Sequence, residues 1–188
     1  MWKGVAAMVK NDGSRKNSEV FWETFAALLG KQVYDHIKYF DEFYSKEFNK
    51  AIEFTNPTKF AREAVKVAHE KTHHVVLATN PWFPEVAVKT RLNWIGLTDD
   101  DFELVTTYNN FNTCKPNPAY FTEIANRIGV NPENCVMIGN NVKEDALAAM
   151  KAGLSVFLIT DCIINDSDTL PDCPCGTYDE CLEYLKSL

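Results

Sequence analysis

The run Cys135-Val136-Met137-Ile138-Gly139-Asn140-Asn141-Val142-Lys143-Glu144-Asp145 concentrates groups able to do chemistry. An apolar stretch enters a glycine and then a polar turn bearing two carboxamides and two carboxylates. Oxygen donors of that kind suit a hard divalent cation, which keeps several waters and needs one or two carboxylates to anchor it. Two further residues stand at suggestive places: Thr79 ends the apolar run from Val75, and Lys115 sits in a Lys-Pro-Asn-Pro turn ahead of Tyr120 and Phe121. Taken singly, each has a plain reading. Thr79 terminates a strand, Lys115 is a solvated surface lysine, and Asp145 is an acid favoured at a helix start by the helix dipole.

These residues need a scaffold, and the surrounding pattern supplies one. Val136 to Ile138 suits a strand buried on both faces, as in parallel sheets covered by helices. Gly139 allows a sharp turn, residues 143 to 152 read as a helix, and Gly153 is placed to end it. A second apolar run, Ser155 to Thr160, ends in Asp161, which either touches the site or starts a turn. The unit is βαβ, a fold element that collects chemistry at the carboxyl ends of its strands.

Similar strands are expected at Val75 to Thr79 and Phe102 to Thr107. Helices are expected near Glu85 to Trp94, Pro118 to Ile128 and Tyr178 to Lys186. Pro57 fits the first turn of another helix, running through Ala68. Alternating short strands and helices specify an α/β fold, an open parallel sheet with helices on both faces. Ahead of residue 57 the chain changes character and becomes helical and aromatic. Asn17 or Ser18 is expected to cap a helix carrying Phe21, Phe25, Leu28 and Leu29, and Val33, Ile37, Phe40 and Tyr44 continue in a second. The expected division is a small all-helical subdomain over 1–56 and an α/β core over 57–188.

At 188 residues and 46% hydrophobic, the chain can build one core with a small accessory lobe. A formal charge of −7 with no offsetting basic cluster argues against nucleic-acid or anionic-membrane partners. No apolar run of about 18 residues and no signal segment follow Met1, so a cytoplasmic protein without membrane spans is expected. Six cysteines include no C-x-x-C pair, and reduced thiols are the simplest reading; a site gathering Cys173, Cys175 and Cys181 stays open. Asp99-Asp100-Asp101 lacks EF-hand spacing and reads as a solvated loop.

Taken in order, these motifs resemble the haloacid dehalogenase (HAD) superfamily, most of whose members are Mg²⁺-dependent phosphohydrolases. Val75-Val76-Leu77-Ala78-Thr79-Asn80-Pro81 is similar to the family's second motif, whose Ser or Thr binds the transferring phosphoryl group. Cys114-Lys115-Pro116-Asn117-Pro118 resembles the third, whose lysine neutralises charge on the nucleophile and phosphoryl oxygens. Gly139-Asn140 with Glu144-Asp145 resembles the fourth, which anchors Mg²⁺. The resemblance implies Thr79, Asn80 and Lys115 as catalytic, Asn140, Glu144 and Asp145 near metal, and a small phosphorylated metabolite as substrate. It also implies a HAD-like Rossmannoid core with an all-helical cap. A hydroxyl, a backbone N–H and a lysine converging on a phosphoryl group would stabilise its equatorial oxygens.

Two departures qualify the resemblance. The family's usual Asp after the glycine is Asn140, an uncharged ligand. The Asp-x-Asp-x-Thr motif that supplies the nucleophile and general acid is absent ahead of Val75. The expectation is an N-terminally shortened hydrolase beginning within its cap, inactive as given, with Mg²⁺ weak or absent. Loss of the central strand would leave the strands of Ile138 and Leu77 facing a gap, with marginal solubility. The alternative is a non-catalytic relative that binds phosphate or a partner.

Overall fold

The computed structural model describes all 188 residues. Helices α1 (Trp2–Val9), α2 (Asn17–Leu29) and α3 (Ile37–Ser45) come first, with 3-10 turns at Lys31–His36 and Glu47–Phe54. Helix α4 (Phe60–Lys71) leads to strand β1 (Val76–Leu77), helix α5 (Glu85–Trp94) and strand β2 (Leu104–Val105). Helix α6 (Ala119–Ile128), strand β3 (Val136–Gly139), helix α7 (Ala148–Lys151), strands β4 (Ser155–Ile159) and β5 (Cys175–Gly176) and helix α8 (Tyr178–Lys186) complete the chain. The expected α/β architecture is present, with every ladder parallel. No helix is long and apolar enough to cross a membrane.

The strands form two hydrogen-bonded groups, β1-β2 and β3-β4-β5. The chain divides accordingly into two compact units, one of Met1–Arg62 with Val75–Cys114, the other of Glu63–His74 with Lys115–Leu188.

In the first unit, α1 and α2 pack closely because Gly4 has no side chain; a Cβ there would lie 2.7 Å from the Phe21 ring. Met8, Phe21, Trp22, Ala26, Val33, Tyr108 and Cys114 form its core. The Trp22 indole N–H donates to the Tyr108 hydroxyl at 3.2 Å, so both rings bury their polar ends satisfied. Farther along, Tyr44 and Phe48 meet edge to face at 5.3 Å, and Phe48 lies 5.2 Å from Trp94, which fastens the segment after α3 to α5. Tyr34, Tyr39 and Phe43 are exposed.

Asn17 departs from its expected role. Lys16 is the N-cap of α2, and Asn17 is the helix's first residue. Its fully buried side chain donates to the Thr113 carbonyl at 3.1 Å and accepts from Asn11 Nδ2 at 3.0 Å. Asn11 also reaches the Asn112 carbonyl, so three asparagines tie the loop after α1 to the segment before Lys115. A carboxamide with buried partners contributes more there than at an exposed cap, because an unpaired amide in the core is costly.

In the second unit, β4 lies between β3 and β5. The Ser155 N–H donates to the Cys135 carbonyl and the Leu158 N–H to the Pro174 carbonyl, so β4 alternates its bonds between its neighbours. The same alternation turns Met137 and Gly139 toward β4 and Val136 and Ile138 away from it. Strand β5, only two residues long, is absent from the expected elements.

Several boundaries move. Helix α4 begins at Phe60, leaving Pro57 outside it. The helix expected over 143–152 opens instead as a wide π-turn, Val142–Leu147, before the four residues of α7. Helix α8 has the expected bounds and is fixed by a reciprocal cap: the Glu180 N–H donates to Thr177 Oγ1, and Glu180 Oε2 accepts from the Thr177 N–H at 2.8 Å.

Candidate active site

Lys115 and Asp145, expected from two separate motifs, meet in the second unit. The Lys115 ammonium lies 2.6 Å from Asp145 Oδ1, and the two residues are 4% and 7% exposed. The other carboxylate oxygen, Oδ2, accepts from the backbone N–H groups of Asn140 at 3.1 Å and Asn141 at 3.0 Å. Local sequence explains this seat. Asn141 caps the π-turn by accepting from the Lys143 and Glu144 N–H groups, which fixes the chain direction after β3. Gly139 then leaves room for the carboxylate, since a Cβ would come within 2.6 Å of Asp145 Cγ. A buried ammonium is tolerable because it is paired, and the carboxylate because three donors converge on it.

Asn140 is held differently. Its side-chain Nδ2 donates to the Cys162 carbonyl at 2.6 Å, and its own carbonyl accepts from the Ile164 N–H, joining the end of β3 to the segment after β4. At the start of α8 the Tyr178 hydroxyl is pushed up to about 12, first by its hydrogen bond with Cys162 of that segment and then by burial. Asp161 Oδ2 accepts from the Tyr178 N–H at 2.6 Å, which makes Asp161 a brace for the start of α8. Cys173 and Cys175, like the other four cysteines, are free thiols.

Thr79 and Asn80 belong to the first unit, at the carboxyl end of β1. The Thr79 hydroxyl lies 3.2 Å from the Asn80 carbonyl and 3.4 Å from the Thr106 carbonyl. Thr106 in turn donates its hydroxyl to the Thr79 carbonyl at 2.7 Å, so the residue after β2 holds the loop that presents Thr79. A groove of about 560 Å³ in the same unit, lined by Asp41, Asn49, Lys89, Asn93 and Asn109 among others, includes none of the expected site residues.

The donor set near β3 can be set against a divalent cation. Asp145 is engaged by Lys115 and two N–H groups, and Asn140 offers only a neutral amide oxygen. Glu144 is then the remaining acid of the motif. Mg²⁺ demands near-octahedral oxygen coordination anchored by carboxylate. These residues do not fit such a centre by themselves.

The sequence model for haloacid dehalogenase-like hydrolases matches residues 8–153, which include every expected site residue. The chain belongs to this family. Among curated relatives, it is 41% identical over 58 residues to a glyceraldehyde 3-phosphate phosphatase from Methanothermobacter thermautotrophicus. That match covers 31% of the chain and 26% of the relative, so only about a quarter of the relative's length is represented. A predicted phosphoglycolate phosphatase from Haemophilus somnus superposes with a TM-score of 0.60 at 19% identity, over 97% of this chain and 81% of that one. The HAD-hydrolase YfnB from Bacillus subtilis, a structure bound to magnesium, gives 0.56 at 17% identity, over 98% and 77%. At such identities the two structures establish the HAD-like fold.

Two features of this HAD-like site are missing from the sequence reading. The tether of Asn140 to Cys162 joins residues 22 apart and leaves no local signal. The Asn141 cap is different: an Asn ahead of a run containing Glu144 and Asp145 is a recognisable helix-start pattern.

Proposed function

We propose that this chain carries the phosphate-holding machinery of a phosphomonoester phosphatase, that its ligand is a small phosphorylated metabolite, and that residues 1–188 bind phosphate without turnover. The buried Lys115 ammonium carries this reading. Paired with Asp145 and 4% exposed, it keeps a localised positive charge in a water-poor site, where an anion gains far more than it would in solvent. The Thr79 hydroxyl and the Asn80 backbone are assigned to the phosphoryl oxygens, residues 1–56 to part of a cap and residues 57–188 to the α/β core. Phosphatases among the relatives support the substrate class. Transfer to an aspartate requires a carboxylate nucleophile with a neighbouring acid, and no Asp-x-Asp-x-Thr run precedes Val75. The proposed setting is the cytoplasm, where six free thiols persist.

A non-catalytic phosphate-binding relative is the second reading. It is favoured by Asn140, which is neutral where the family resemblance implies an acid and is tied to the Cys162 carbonyl.

Calorimetric titration of the purified chain with inorganic phosphate, alongside hydrolysis of an aryl phosphate with Mg²⁺, tests the proposal. Saturable binding weakened by Lys115→Ala and Thr79→Ala, without hydrolysis, is the expected result. Turnover that disappears in Lys115→Ala would show that the chain is catalytic as it stands; absence of saturable binding would remove the phosphate-holding role.

A further inference from the structure

Taking an ammonium group out of water is costly unless polarised surface replaces its hydration. Asp145 provides one side of that replacement for Lys115. Two aromatic rings provide more. Lys115 Nζ lies 5.6 Å from the centroid of the Tyr120 ring and 5.7 Å from that of Phe121, inside the roughly 6 Å at which a ring quadrupole attracts a cation. The rings meet edge to face at 84° with centroids 5.0 Å apart, and both residues are fully buried.

This convergence is unusual for neighbours on a helix. Successive side chains diverge by about 100° around the axis, so residues i and i+1 do not ordinarily face the same partner. Side chains of a first turn, however, tilt back toward the helix start. Tyr120 and Phe121 are the second and third residues of α6, and Lys115 precedes that helix by four positions. Both rings can therefore reach a group lying ahead of the helix.

We infer that Tyr120 and Phe121 are positioning residues for Lys115. Two nearly perpendicular rings and one carboxylate form a three-sided seat that fixes the ammonium before any anion arrives. The choice of rings has a chemical reason. A second carboxylate would hold the amine equally well but would give the seat a net negative charge, repelling a phosphate. Aromatic rings attract the cation while adding no net charge, so they immobilise Lys115 without adding a charge that would repel an anion. The consequence for phosphate rests on the function proposed above, whereas the seat stands on its geometry alone.

The test replaces Phe121 in the full chain with mono-, di- and trifluorophenylalanine, which withdraw electron density from the ring with little change in size. The readout is the exchange lifetime of the Lys115 ammonium protons in ¹H–¹⁵N spectra, the signal being assigned by its absence in Lys115→Arg. Exchange should accelerate stepwise, by about fivefold across the series, as the quadrupole weakens. Phe121→Tyr should restore the native lifetime and Phe121→Leu should not. A lifetime that stays flat across the fluorinated series would reduce the rings to packing and overturn the inference. Graded exchange in a chain that never binds inorganic phosphate would uphold the seat and remove the phosphate reading.

Discussion

Lys115 and Asp145 depend on each other more than an exposed pair would. Removing one partner of a buried ion pair leaves an uncompensated charge, whereas exposed pairs contribute little. Lys115→Met should therefore lower stability in urea by about 3 kcal/mol, and adding Asp145→Leu to it should recover part of that loss. A single-variant loss below about 1 kcal/mol would contradict the buried-pair description. Cys181 gives a second prediction. Burial pushes its thiol from the usual 9.0 up to about 11. The unfolded chain therefore loses this proton first as pH rises, and the stability contributed by the protonated thiol, intact below pH 9, declines on the way to 11. Urea midpoints for wild type and Cys181→Ala across that range should converge at the alkaline end; parallel curves would refute the assignment. Lys115 and Asp145 are legible in the sequence as candidates because both occupy ordered motifs, but their pairing is not, since it joins residues 30 apart. The burial of Asn17 is not, since its acceptor is the Thr113 carbonyl, 96 residues away.

Elements were readable where their signals are local. Helix α8 has its expected bounds because Thr177, Glu180 and the apolar spacing of Cys181 and Leu185 all lie within one segment. The π-turn after β3 could not be read the same way, because Asp145 within it pairs with Lys115, 30 residues earlier, a partner that the local 3.6-residue pattern does not show. Strand β5 escaped for a related reason: two residues carry no periodicity. Helix α1 illustrates how much a small residue can decide. Gly4→Ala gains helix propensity of up to about 1 kcal/mol, yet its methyl would meet the stiff Phe21 ring at 2.7 Å. Overpacking of this kind costs about 1–3 kcal/mol, so a net loss of about 1 kcal/mol is expected by urea denaturation. A stabilised variant would mean that α1 and α2 can move apart freely.

At the scale of the molecule, the alternation of hydrogen bonds along β3 makes a prediction about its edge. Met137 and Gly139 point toward β4, and Val136 and Ile138 point the other way. In hydrogen–deuterium exchange, the amides of Val136 and Ile138 should be the faster pair, and equal protection of all four would show that the far edge of β3 is covered. An unpaired apolar strand edge also invites association, the physical basis for expecting marginal solubility even with a charge of −7.

The interleaving of the two compact units has a consequence for biosynthesis. Helices α1 and α2 leave the ribosome early, but the carbonyls that receive Asn11 and Asn17 belong to Asn112 and Thr113. Residues Glu63–His74 likewise emerge well before the remainder of their unit, which begins at Lys115. At roughly 5–20 residues per second, the first helices wait several seconds for their partners. Closing so long a loop is an entropic step that cannot be taken early. The nascent chain must therefore carry exposed Phe21 and Trp22 until Asn112 and Thr113 emerge, and that interval is when a holdase would matter most.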